Sequence, residues 1–183
     1  MTVRTCAALL ALAALAAPAG ARAGGGCRDA DALPGRVSQT RLRAATLCLM
    51  NAERSARGLG RLRANRPLSR AARAYARQMV RRHFFDHQSP GGSTMMSRIR
   101  STAYVHGAAS FTVGENLAWG TGPWATPRAI VRGWMRSREH RANLLDPEFR
   151  DVGIGVARGA PERLQAGETG GTYVADFARR VRG

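Results

Sequence analysis

Lysine is absent from this chain: all 29 basic residues are arginine, set against 12 acids, for a formal net charge of +17. Aromatic residues are scarce at 6%, and they do not interleave with a basic run. That excludes a specific nucleic-acid surface built on stacked bases. The charge itself favours contact with anionic polymers or head groups, although the arginines are spread along the chain and match a general Arg-for-Lys bias. Past the N-terminus no apolar run is long enough to cross a bilayer, so the chain is not expected to be transmembrane. No internal repeat is visible, and a length of 183 residues suits one domain. Serine and cysteine occur, but none sits in a recognisable nucleophile motif, so a serine or cysteine hydrolase is not indicated.

The N-terminus carries an apolar run, residues 6–17, behind a basic start at Arg4. Ala21-Arg22-Ala23 then has the small-x-small form of a cleavage site, so residues 1–23 are expected to be a signal peptide. The product is expected to be secreted, extracellular or periplasmic, and monomeric. Two of the 29 arginines and none of the 12 acids lie in that segment, which leaves +15 on the remainder. Cys6 leaves with the signal, and Cys27 and Cys48 remain in an oxidising compartment, where a disulfide between them is predicted. Residues 24–39 lack any period and read as an N-terminal tail ahead of a domain at 40–180.

Within that domain, Leu42, Ala45, Leu49, Ala52 and Ala56 recur at helical spacing over 41–57, with Asn51, Glu53 and Arg54 on the polar side, and Gly58 and Gly60 stop the helix. A second helix starts at Pro67 and carries a longer apolar stripe from Leu68 to Phe84. Ser93 or Thr94 caps a short helix through Met95, Met96 and Ile99. Thr126 and Pro127 open another that carries Ile130 and Trp134. Val152, Ile154 and Val156 alternate with Gly153 and Gly155, which predicts a strand with one bare face approached by another backbone or a helix. A closing strand runs over Thr172 to Ala178.

The residues able to carry chemistry are His83, His87, Glu115, Glu139 and His140. His83 and His87 stand four apart, as two imidazoles on one helix would, but Phe84 occupies the place of the glutamate in a zinc-peptidase motif. His87, Glu115 and His140 fall at the ends of elements, where functional groups gather. Brought together, two imidazoles and a carboxylate could hold a divalent metal with open positions, or lock each other in a structural hydrogen-bond network.

The ordered strings LCLMNAERSARGLGRL, FFDHQSPGG, GENLAWG, WMRSREHRANLLDPEFRDVGIGVA and a final Tyr-Val-x-x-Phe strand carry a resemblance. Together they resemble bacterial secreted members of the CAP superfamily, which groups cysteine-rich secretory proteins, antigen five and pathogenesis-related proteins. The resemblance covers roughly Thr40 to Ala178. It implies an α+β fold, a three-layer α-β-α sandwich with a small antiparallel sheet. It also implies a cleft lined by His87, Glu115 and His140, with zinc or magnesium bound at His87 and His140 in some members. The second glutamate of many members falls at Ser137 here, with Glu139 as a possible substitute in the ligand-binding cleft.

The expected function is therefore a secreted, non-catalytic binding module, with a divalent metal or a small-molecule or lipid ligand in the His/Glu cleft. A first alternative is a metal-assisted hydrolase with Glu115 as general base. A second is an Arg-rich module that binds anionic cell-wall polymers. Tyr104, Trp119, Trp124, Met95 and Met96 are the apolar candidates for a lipid-binding surface.

Overall fold

The computed structural model describes residues 26–182, so the expected signal peptide lies outside the described residues. Helix α1 (Gln39–Ser55) begins where the Ser38 side chain accepts a hydrogen bond from the Arg41 amide. Its apolar stripe, Leu42, Ala45, Leu49 and Met50, is buried. The polar side behaves differently from a solvated face: Asn51 and Arg54 are buried as well. Asn51 bonds both backbone groups of Leu62, and the Arg54 guanidinium donates to the carbonyls of Gly60, Leu144, Asp146 and Phe149. A polar stripe on a helix can be satisfied by another segment's backbone as well as by water.

The expected tail is pinned to the domain. Cys27 is bonded to Cys48 of α1, with Cα atoms 5.7 Å apart. Asp29 pairs with Arg41, Asp31 pairs with Arg128, and Ala30 is buried between them in sequence.

Strand β1 (Arg63–Ala64) is only two residues long and leads into α2 (Arg66–Arg82). The Asn65 side chain caps α2 and Pro67 stands in its first turn, where a missing amide hydrogen is harmless. The helix stops at His83, a left-handed residue with φ 53°. His83 and His87 thus do not share a helix, and the zinc-peptidase comparison lapses. Helix α3 (Met95–Arg100) is closed by a capping box between Thr94 and Ser97. Strand β2 (Ala108–Thr121) runs into a 3-10 turn at Gly122–Ala125. Helices α4 (Pro127–Arg136) and α5 (Arg138–Leu145) follow, with Ser137 ending one and capping the other. Strands β3 (Asp151–Arg158) and β4 (Gly170–Arg182) complete the chain.

The four strands lie in the order β1-β3-β4-β2, antiparallel except for β1, which runs parallel to β3. On one face Val152, Ile154, Val156, Tyr173 and Phe177 pack against Leu42, Leu49 and Met50 of α1 and Ile130, Val131 and Trp134 of α4. On the other, Val174 and Leu117 meet Ala72, Tyr75, Ala76 and Met79 of α2. Two helical layers thus enclose the sheet, as expected of an α-β-α sandwich. The bare face of β3 has its explanation in α2. A Cβ on Gly153 would lie 2.2 Å from the Leu68 carbonyl carbon, and one on Gly155 would lie 2.2 Å from that of Ala72. The helix backbone rests directly on the strand.

Candidate functional site

Glu115 sits in β2, directly opposite Asp176 of β4, so both carboxyl groups point to the α2 face. Its side chain is 1% exposed, and both oxygens are engaged. Arg98 of α3 donates from Nη2 to Oε2 at 2.6 Å, and His87 Nδ1 lies 2.7 Å from Oε1. A carboxylate paired with arginine can only accept, so Nδ1 carries the hydrogen and the neutral ring keeps its lone pair at Nε2. Arg98 is itself held on three sides. Its Nη1 donates to the carbonyls of His87 and Ser93, and its Cζ stands 3.3 Å from the centroid of the Tyr75 ring. Tyr75 in turn donates its hydroxyl to the Asp86 carbonyl at 2.5 Å, which fixes the loop carrying His87 to α2.

His140 enters from the opposite layer on the first turn of α5, its amide on Ser137 Oγ at 3.4 Å. Two asparagines dock that turn against β2. Asn116 donates to the His140 carbonyl at 2.8 Å, and Asn143 donates to the Glu115 carbonyl at 3.2 Å and to Asn116 Oδ1 at 3.0 Å. Gly114 permits the approach, since a Cβ there would meet Asn143 Oδ1 at 3.0 Å. Ser137, where the resemblance implied a second glutamate, serves as a helix cap. Glu139 is exposed on the first turn of α5 and, among the described residues, forms no hydrogen bond with the Glu115 network. Its charge does reach its neighbour His140.

The two imidazoles are tuned in opposite directions. The bond to Glu115 raises the His87 pKa above its usual 6.5, against the opposing pull of partial burial. Burial, and then the nearby His87 charge, lower that of His140. The His87 pairing thus adds stability that is complete below pH 6.5 and fades as pH rises through the folded-state value. His140 works the other way, costing stability as pH falls below 6.5. In an NMR titration, His87 is expected to titrate above 6.5 and His140 below it. Glu115→Gln is expected to return the His87 midpoint toward about 6.5, and an unmoved midpoint would mean that the pair does not form.

Asp176 was not among the residues singled out in the sequence, nor was Arg98. Asp176 is fully buried, and its Oδ1 has no hydrogen-bond partner among the described residues. Burial, followed by the Glu115 charge, holds its carboxyl well above the usual range, which favours the neutral form. One arginine thus offsets the charge of one of the two buried carboxyls, and burial favours the neutral form of the other. A trace of this existed in the sequence: an acid at the centre of Tyr-Val-Ala-Asp-Phe-Ala, a run otherwise fit for a buried strand. Arg98 left no such trace, being one arginine of 29.

A cavity of about 710 Å³ opens between α2 and α3, lined by Ala71, Ala74, Tyr75, Ser97, Arg98 and Thr102 among others. It shares Arg98 and Tyr75 with the carboxylate site but not His87 or Glu115. Of the apolar candidates, Tyr104 is buried and bonds Asp151, Trp119 and Met95 are partly buried, and Met96 and Trp124 are exposed.

As a metal site, the arrangement offers two imidazole nitrogens and a carboxylate already spent on orienting one of them. Among the described residues, no group of three or more His, Cys, Asp or Glu could hold a metal ion. A divalent ion there would find two imidazole donors at most, with His87 oriented by Glu115 from behind, the usual arrangement around a ligating histidine.

An α-β-α sandwich with His87 bonded to a buried glutamate on an edge strand defines the class of the molecule. The chain belongs to the cysteine-rich secretory protein (CAP) family, whose model matches residues 47–176. It is 39% identical over 107 residues to YkwD of Bacillus subtilis (strain 168), covering 58% of this chain and 39% of that protein. It is 30% identical over 113 residues to the membrane protein YlbC of the same organism, covering 61% and 30%. The chain thus spans less than half the length of these curated relatives. An extracellular protein of Bacillus anthracis str. Ames that contains an SCP domain superposes with a TM-score of 0.59 at 24% identity, over 80% of this chain and 45% of that one. An outer surface protein of Borrelia burgdorferi superposes at 0.62 and 20%, over 79% and 97%. These two likenesses establish the fold. Among the described residues, no helix is long and apolar enough to cross a membrane.

Proposed function

We propose that this is an exported, non-catalytic binding module. Its cleft holds a divalent metal or a small ligand between His87 and His140, with Glu115 as the residue that orients His87. The observation that carries the reading is the full commitment of Glu115: one oxygen to His87, the other to Arg98, with the side chain 1% exposed. A general base must be within reach of the proton it takes. Here the carboxylate is 1% exposed and lies behind His87 and Arg98, each bonded to one of its oxygens, which weighs against the hydrolase alternative. A metal, when bound, would supply Lewis acidity and open positions for a ligand donor. The chain's own contribution is to present Nε2 of His87 in one tautomer and to hold α5, with His140, against β2. The cavity beside Arg98 offers room for the body of a small or lipid ligand. Export is supported by the Cys27–Cys48 bond and by the extracellular character of the Bacillus anthracis protein.

Calorimetric titration of the oxidised chain from Gly24 onward with zinc is the test. One-to-one binding is expected, lost in the His87→Ala/His140→Ala double variant. Glu115→Gln is expected to weaken it by about 10- to 100-fold, the usual effect of removing a group that orients a metal ligand. A folded protein that binds no zinc would overturn the metal reading.

A further inference from the structure

The arginines that look evenly spread in the sequence are not evenly spread in space. Arg43 of α1 and Arg66, Arg70 and Arg73 of α2 line one groove of about 550 Å³, together with Thr40, Asn65 and Ser69. The groove has no Asp or Glu in its wall, and its apolar lining includes Leu47, Val152 and Ile154. Among the described residues none of the four arginines forms an ion pair. The six ion pairs involve other arginines and His87. Arg43 finds only a hydroxyl, Thr40 Oγ1, at 3.0 Å. Partial burial, and then repulsion from Arg73, lower the Arg43 pKa. Like charges have been brought together here with nothing of opposite sign to offset them.

The sheet explains why the groove exists. Strand β1 ends at Ala64 after pairing with Asp151 and Val152 only, so beyond that point β3 has no strand neighbour on its β1 side. A notch is left between the helical layers, and arginines reach it from both. Guanidinium groups converging from two sides surround a compact anion, and their planar forks match the oxygens of a phosphate. The apolar lining is suited to the carbon units that join successive phosphates.

We propose that this groove is a second binding site, separate from the histidine cleft, and that it takes a phosphodiester polymer through Arg43, Arg66, Arg70 and Arg73. The strand order places it at the β1/β3 edge, while Glu115 stands on β2 at the opposite edge. The groove thus lies apart from His87, Glu115 and His140, although Arg70 also borders the cavity beside Arg98.

The oxidised chain from Gly24 onward is titrated with an oligo(glycerol phosphate) by calorimetry at several salt concentrations. Poly-glutamate of equal charge and phosphatidylglycerol vesicles are titrated in parallel. Arg43→Gln/Arg73→Gln is expected to weaken oligomer binding at least 10-fold and to lower the log–log salt slope by about 1 to 2. Arg77→Gln/Arg81→Gln removes the same charge from an exposed stretch of α2 outside the groove and is expected to cost less than 3-fold. His87→Ala/His140→Ala is expected to leave this binding unchanged, whatever it does to zinc. Amide shifts in the wild-type chain should concentrate at 40–47 and 64–73, a readout that does not depend on any variant folding. Equal losses in both arginine pairs, or no binding by the wild-type chain, would overturn the site. Poly-glutamate or vesicles binding as tightly as the oligomer would overturn its assignment to a phosphodiester polymer.

Discussion

Gly155→Ala is expected to destabilise the protein by about 3 kcal/mol or more, the upper range for forcing an extra methyl into a packed interface. The reason is the nature of the obstacle. A Cβ at Gly155 would lie 2.2 Å from both the carbonyl carbon and the carbonyl oxygen of Ala72 and 2.5 Å from the Arg73 nitrogen. These are backbone atoms in the middle of α2, and no rotamer change moves them aside. Either the helix lifts off the sheet or β3 bends away from it. For a domain of this size, such a loss lowers Tm by roughly 6–12 °C. The effect should also reach the cleft, because α2 carries Tyr75, on which the Arg98 guanidinium rests. Thermal melts of Gly155→Ala beside Gly133→Ala, where a Cβ meets nothing within 4 Å, separate the contact from the general effect of replacing glycine. A Gly155→Ala protein as stable as wild type would mean that α2 does not sit on β3 as described.

Arg54→Met is expected to cost about 3–5 kcal/mol, the range for leaving several buried polar groups without their charged partner. Arg54 is fully buried and, unusually for an arginine, has carbonyl oxygens in place of a carboxylate: Gly60 at 2.7 Å, Leu144 at 2.9 Å, Asp146 at 2.8 Å and Phe149 at 3.4 Å. The first closes the turn after α1. The next two belong to the C-terminal end of α5, where the helix dipole favours a cation. Methionine keeps much of the stem's volume and contacts but removes every donor. Lysine keeps the charge yet cannot span acceptors on two sides, so Arg54→Lys is expected to lose about 1–3 kcal/mol. Urea unfolding checks both: the midpoint should fall while the slope stays constant. A loss below about 1 kcal/mol for Arg54→Met would show that water replaces the guanidinium in this pocket.

What the sequence revealed and what it hid follow from the physics of each position. Helix α2 was legible because its buried face is a continuous stripe from Leu68 to Met79, and Pro67 marks its start chemically. The approach of a helix to β3 was legible because two glycines on one face of a strand have no other common use. The end of α2 was less sharply marked: a left-handed His83 has no glycine to announce it, so the i, i+4 spacing of His83 and His87 had to be weighed as a helical pair. Arg54 was misplaced for a different reason. Periodicity separates polar from apolar residues, but it cannot tell water from another segment's carbonyls. In the site, His87, Glu115 and His140 were found because they fall at the ends of elements and on the motifs that carry the resemblance, and the geometry joins the first two directly. The partners that set their chemistry come from elements distant in sequence: Arg98 from α3, Asp176 from β4, and Asn116 and Asn143 from opposite sides of the α5 contact. Only pairing across the sheet brings them together, and a linear pattern holds no record of which strands are neighbours.

The strand order β1-β3-β4-β2 also bears on how the molecule would meet an extended target. With the histidine cleft at β2 and the arginine groove at the β1/β3 edge, two to three strand spacings, or roughly 10–14 Å, of rigid sheet separate them. One chain could therefore be tethered by one edge while the other stays open. A polymer held in the groove would then raise the effective concentration, at the cleft, of any ligand carried on the same strand or on its neighbours. Weak binding at each edge, measured separately, would understate how selectively the two act together on a surface that carries both groups.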